Sequence, residues 1–295
     1  MSRAARASGL VLLTAALFST GGAAVKATEL GAWQVAGLRS AVAAIALLVL
    51  LPQSRGWWRP RNLAVGVAYA ATLVTFVHAN KLTTAASTIF LQATAPLYLM
   101  ALGPLLLREP LRRRDLRAAP LFALGLVLVF VGLDPPSETA PWPRLGNAIA
   151  AASGLCYALT ILGLRTLGRR PDPVAAPGPR RDPSLGAVVA GNGIAAAVCL
   201  PVGLPMAPDA VDLGVVLYLG VFQIGLAYAL LTRAVTELGA LEVSLLLLLE
   251  PVLSPVWAAL VVGEVPGLLS WVGGALVLGA TVLQALGRRD APASG

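Results

Sequence analysis

Charge is what this chain lacks. Only 12% of its 295 residues are Asp, Glu, Lys or Arg, against roughly a quarter in soluble globular proteins. A single histidine and two cysteines complete a sparse set of metal-ligating side chains. Without a His-rich loop or clustered Asp and Glu within apolar sequence, no metal centre is expected. The same scarcity speaks against an intramembrane enzyme, which needs a nucleophile–base pair or a metal cluster. A dyad of His78 with Ser87 or Ser244 is formally open, but no nucleophile motif surrounds either serine. Cys156 and Cys199, isolated in apolar stretches, form neither a disulfide framework nor a ligand set and read as small packing residues. A ring of like polar groups, the mark of a channel filter, is also missing. The chain is read as no enzyme and as carrying no cofactor.

Apolar sequence fills the space. Hydrophobic residues make up 57% and the mean hydropathy is +0.80. Runs of about 17–25 apolar residues read as membrane-spanning helices. Ten are visible, near 8–25, 33–51, 63–80, 85–106, 117–133, 145–164, 185–203, 213–231, 240–262 and 267–286. Arg3 and Arg6 before the first run, and small residues after it, resemble a secretory signal. The uncharged run from Ala7 to Val25 is nevertheless long enough to span. The net charge of +8 could suggest a nucleic-acid partner, but its placement does not. With the N-terminus inside, 18 of the 22 basic residues fall on the cytoplasmic side. By the positive-inside rule this predicts both termini in the cytoplasm of a cell holding the protein in its plasma (inner) membrane. The expected partners are the lipid bilayer and a small-molecule substrate, with no nucleic acid, for a protein acting as a monomer.

The ten runs divide into two sets of five. Asp134–Pro143, with four prolines, separates them. Pro96 and Glu109 stand thirteen residues apart in the fourth run, and Pro251 and Glu264 thirteen apart in the ninth, 155 positions later. Nearer the N-terminus the offset is 139, which sets Phe18 against Tyr157 and Lys26 against Arg165. The Pro-rich stretch 171–184 absorbs most of the difference. An odd number of spans per set inverts the second set, and inverted repeats build one site reachable from either side. The expectation is an all-α membrane protein of ten transmembrane helices in two inverted five-helix repeats, 7–133 and 144–287.

Five motifs, in order, carry a family likeness: AALFSTGGAAVK in the first run, VAGLRSAVAAIALLVL in the second, a proline followed by REP in the fourth, SGLCYALTILGLRTL in the sixth, and LLLEPVLSPVWAALVVGEVPGLLSWVGGALVLGA in the ninth and tenth. Together they resemble the two EamA-type repeats of the drug/metabolite transporter superfamily. The likeness implies a central cavity between the halves and export of small metabolites, amino acids including aromatic ones among the commonest. Other small uncharged metabolites or drugs are the second reading. Small multidrug relatives carry a glutamate in their first helix, and the first run here has none.

Polar groups among the spans are costly, so each is a functional candidate. His78 could bond a substrate amine or carboxylate, or sit at headgroup level on a backbone carbonyl. Gln92 offers a donor and an acceptor suited to a zwitterion. Tyr98 offers an apolar face with a polar tip. Residues 92 and 98 lie about 240° apart on a helix of 3.6 residues per turn, so both face a cavity only if Pro96 distorts the span. Phe18 and Tyr157 read as matched aromatic walls, or as core; Trp257 is a similar case. Arg39 could receive a carboxylate or form a structural pair. Glu250 could trade a proton for substrate, or bond backbone amides freed at a kink. Pro96 and Pro251 are the candidate hinges. Glu109 and Glu264 could cap the following helices or pair with loop arginines.

Overall fold

In a computed structural model of the protein, residues 3–107, 113–132, 135–169, 182–234, 237–238 and 240–286 are described. Among the described residues the architecture is helical, and nine helices are long and apolar enough to cross a membrane, with a tenth, shorter apolar helix at Leu116–Val131. Numbered in chain order, the ten spans are Ala5–Lys26, Ala32–Leu50, Pro60–Leu82, Ala85–Leu106, Leu116–Val131, Pro143–Leu167, Pro183–Val202, Ala210–Ala234, the pair Ala240–Leu247 with Leu249–Val262, and Leu268–Leu286. Exposed Ile45, Val67, Val127, Val198 and Leu260 give the outer surface an aliphatic skin. Exposed Trp33, Trp142 and Trp271 stand at one end of the bundle, and Trp57 with Trp58 at the other. That is the aromatic belt expected at each bilayer interface.

Local chemistry sets the helix ends. Pro60, Pro143 and Pro183 open spans three, six and seven, where a missing N–H costs nothing. Asp182 accepts the Ser184 N–H at 2.8 Å, and Asp209 accepts that of Asp212 at 2.7 Å. Gly263, with φ at 69°, closes span nine in the left-handed conformation that favours glycine.

Four spans are interrupted. Span one breaks between Ser19 and Gly21, span four at Ala93–Thr94, and span nine at Leu248, while span eight widens into a π-helical stretch at Tyr218–Leu226. Ala93 and Leu248 are 155 positions apart, so the breaks in spans four and nine match across the repeats. Pro96 and Pro251 were expected to bend continuous helices. Each lies instead in the first turn of the second half-helix, Ala95–Leu107 or Leu249–Val262, where the backbone N–H groups have no helical partner to lose. The prolines start the half-helices, and the interruptions lie just before them.

The inversion is visible atom by atom. Thr14 in span one donates to the Ala227 carbonyl in span eight, and Ser153 in span six donates to the Thr72 carbonyl in span three, both at 3.3 Å. The two hydroxyl residues are related by the offset of 139, the two carbonyls by 155. On the axis itself, spans five and ten meet through Gly125 and Gly273: a Cβ on either would lie 2.7 Å from the other's carbonyl oxygen. The core is therefore shared. Each of six buried apolar clusters takes residues from both repeats, such as Tyr69 with Val188 or Phe122 with Val277.

Candidate functional site

A cavity of about 190 Å³ opens between the repeats. Its walls come from Phe18 in span one, Arg39 in span two, Tyr69, Thr72 and Phe76 in span three, and Gln92 and Ala93 in span four. Across the axis they come from Tyr157 in span six, Gln223 and Tyr228 in span eight, and Glu250 and Pro251 in span nine. The matched breaks of spans four and nine thus lie at cavity level, beside Ala93 and Pro251.

The lining is aromatic with a few placed polar groups, the usual make-up of a small-molecule site. The Phe18 and Tyr228 rings meet edge-to-face with centroids 5.6 Å apart. The Tyr228 hydroxyl in turn lies 3.2 Å from that of Tyr69. Gln92 donates to Ser153 Oγ at 2.9 Å, which fixes its amide on the hydroxyl that already ties span six to span three. Gln223 donates to the Phe18 carbonyl at 3.5 Å, and Gly21 makes room for it: a Cβ there would stand 2.8 Å from the Gln223 amide nitrogen. Arg39 is only 2% exposed; its Nη2 reaches the Leu73 carbonyl at 3.4 Å and its guanidinium lies 5.9 Å from the Phe76 ring centroid.

Of the candidates named from the sequence, Phe18, Gln92, Tyr157, Arg39, Glu250 and Pro251 meet in this cavity. The others stand apart from its lining. His78 packs edge-to-face on Trp33, centroids 4.4 Å apart, and its Nδ1 donates to the Val74 carbonyl at 2.8 Å. Tyr98 packs on Gly154 of span six, its ring 3.3 Å from where a Cβ would be. Trp257 donates from Nε1 to Ser19 Oγ at 2.9 Å, joining span nine to the break in span one. Pro96 is half-buried at the start of its half-helix. Tyr69, Tyr228, Phe76 and Gln223 went unnoticed in the sequence. The signal was there for three of them: Gln223 is the sole amide in span eight, and the chain has only five tyrosines.

Beyond Gly22 and Ser254, where spans one and nine pack together, lies a buried ionic knot. Lys26 Nζ lies 2.7 Å from Glu264 Oε1, and the two side chains are 2% and 4% exposed. Lys26 also donates to the Thr83 carbonyl at 2.9 Å and to the Thr139 carbonyl between the repeats. The other Glu264 oxygen accepts the Ala85 N–H at 2.9 Å. Close by, Lys81 donates to the Thr28 carbonyl at 2.6 Å, while the Thr28 hydroxyl bonds Asp212. Glu264 therefore both caps and pairs, but the helix it caps is span four and its partner is Lys26, not a loop arginine. Glu109, its counterpart in the first repeat, lies outside the described residues.

At the opposite end the elements diverge. Spans four and nine touch chiefly through Ala85–Gln92 and Leu249–Val262, the halves nearer Lys26. Beyond the breaks, Ala95–Leu107 packs on spans five and six, whereas Ala240–Leu247 packs on spans one and ten.

Comparison with known proteins agrees with this architecture. The sequence profile of the EamA-like transporter family matches residues 6–131 and 144–286. Among curated proteins, none matches. A solved structure, titled only as the crystal structure of a protein, is 19% identical, with 98% of this chain and 100% of that one covered and a TM-score of 0.61. At that identity the likeness shows the fold alone.

Proposed function

Since the chain belongs to the EamA-like transporter family and is thereby a multi-pass membrane transporter, we propose that it exports small metabolites, amino acids including aromatic ones foremost. The route is the central cavity, worked by alternating access about the matched breaks in spans four and nine. The observation that carries this reading is the cavity wall, in which aromatic rings surround a cation, a carboxylate and two amides. Phe18 and Tyr157 act as facing walls for an apolar side chain and Gln92 as a polar partner. His78, Tyr98 and Trp257 support the spans around the site. The transporter works as a monomer, with no cofactor, in the cell (inner) membrane.

Counterflow in liposomes holding the purified protein tests the substrate class. Saturable exchange of labelled aromatic amino acids is expected. Gln92→Ala should raise the half-saturation concentration about fivefold, the effect of one net hydrogen bond near 1 kcal/mol. His78→Ala should stay within about twofold of the wild type. Absence of exchange across a panel of amino acids would sink the assignment.

The basic-residue bias supports cytoplasmic termini, and in that orientation the Lys26–Glu264 knot faces outward and the cavity opens toward the cytoplasm, where the half-helices of spans four and nine diverge. An exporter loads from that side. Reporter fusions after Arg289 and within 165–183 should both score cytoplasmic. A signal from the other side at either point would overturn the orientation.

A further inference from the structure

An arginine and a carboxyl side chain face the cavity, and neither is in an ion pair among the described residues. Arg39 comes from the first repeat and Glu250 from the second. Arg39 brings five N–H donors in a planar fork, of which one makes a hydrogen bond, at 3.4 Å. Its Nε is buried with no partner, although the side chain is 2% exposed. In the same cavity the Gln223 carbonyl oxygen is also buried and without a partner. Tyr69, Tyr157 and Tyr228 line the same chamber as Arg39 and Glu250. The Tyr69–Tyr228 hydroxyl contact joins the two repeats in the wall of that chamber.

A buried guanidinium that lacks partners is costly unless something else supplies the counter-charge. A ligand with one charge of each sign would satisfy both walls at once. We propose that Arg39 receives the carboxylate and Glu250, helped by the Gln223 carbonyl, receives the ammonium of a zwitterionic substrate, so that recognition is of the amino-acid headgroup while the aromatic walls take the side chain. This rests on the amino-acid reading above and names the groups that enforce it. A monocation or a monoanion would satisfy one of the two groups and leave the other without its partner. A site built to pair a polar group rejects the analogue lacking it far more strongly than it distinguishes apolar sizes. The apolar surround accordingly permits broad choice of side chain but strict choice of headgroup.

Three probes test this in counterflow of labelled phenylalanine: unlabelled phenylalanine, phenylalaninamide, which lacks the carboxylate, and 3-phenylpropionate, which lacks the ammonium. In the wild-type protein each analogue should compete at least about tenfold more weakly than phenylalanine. Arg39→Gln should bring the amide to within about twofold of phenylalanine while the discrimination against 3-phenylpropionate persists. Glu250→Gln should do the reverse. Such a crossed pattern is one that a merely structural role would not produce. Lower rates with unchanged selectivity in both variants would overturn the assignment of the two residues. The wild-type comparison needs no variant to fold: equal competition by all three compounds overturns the headgroup proposal and leaves the amino-acid reading standing. If no amino acid drives or inhibits exchange, the reading itself falls and the proposal with it.

Discussion

Replacing Glu264 with glutamine is expected to open the bundle at the end where Lys26 lies. The variant leaves a lysine ammonium buried at 2% exposure with its ionic partner gone. Removing one member of a buried pair costs roughly 3–5 kcal/mol, because the remaining charge is uncompensated. Two carbonyls, of Thr83 and Thr139, still accept from Lys26, but they are neutral. The cost falls on the closed arrangement alone, so a chain able to open at that end escapes it without unfolding. Ser254 is 3% exposed in span nine, between Pro251 at the cavity and Glu264 at the knot. A cysteine at Ser254, with Cys156 and Cys199 replaced, should react at least about tenfold faster with an impermeant thiol reagent in the Glu264→Gln background, as the shifted population requires. Adding Lys26→Met should restore slow labelling, since removing both charges leaves nothing unpaired. Equal labelling with and without Glu264 would show that the knot does not hold this end shut.

The second large effect belongs to the axis. Gly273→Leu should abolish recovery of folded protein. A Cβ at Gly273 would stand 2.7 Å from the Gly125 carbonyl oxygen and 2.8 Å from Val129 Cγ2, and a Cβ at Gly125 meets Gly273 and Val277 at the same distances. No rotamer relieves a contact between a Cβ and a backbone oxygen, so spans five and ten must separate. Overpacking typically costs about 1–3 kcal/mol when side chains can adjust; here they cannot, and the contact lies where the two repeats join. Gly279→Leu is the control on the same helix, because a Cβ there has nothing within 4 Å. The measurement is monodisperse protein after detergent extraction, expected near wild type for Gly279→Leu and close to none for Gly273→Leu. Wild-type recovery of Gly273→Leu would mean that this close approach is not needed for folding.

The spans were legible because a bilayer imposes length and hydropathy on them and little else. The repeat was legible through a few anchors, and Phe18, Gln92, Tyr157, Arg39 and Glu250 through the cost of placing polar or matched aromatic groups in a span. Facing direction was less accessible. His78 satisfies the same criterion as Gln92, yet its ring is held by Trp33, which belongs to another helix and 45 positions earlier. For Tyr98 the helical angle to Gln92 already warned that both would share the cavity only if the span were distorted. The span does break, but one residue past Gln92 and before Pro96, and Tyr98 turns to Gly154. Lys26 and Glu264 were both noted, but not as partners, since their pairing depends on how the first helix of one repeat lies against the fourth of the other. Gln223 and Tyr228 escaped because nothing in the sequence of span eight shows which of its faces turns inward.

The shared core has a consequence for how this protein is made. Val65 and Val11 leave the ribosome long before Ala187 and Ala234, the side chains they finally pack against, have been translated. The early helices enter the bilayer with their future interior faces turned to lipid or to provisional neighbours. Neither half has a finished interior to settle into while it waits. Only when the late helices arrive can spans two and three find spans seven and eight. Folding is thus a docking reaction between two inserted, unfinished halves, and its decisive step falls after the last span has entered the membrane.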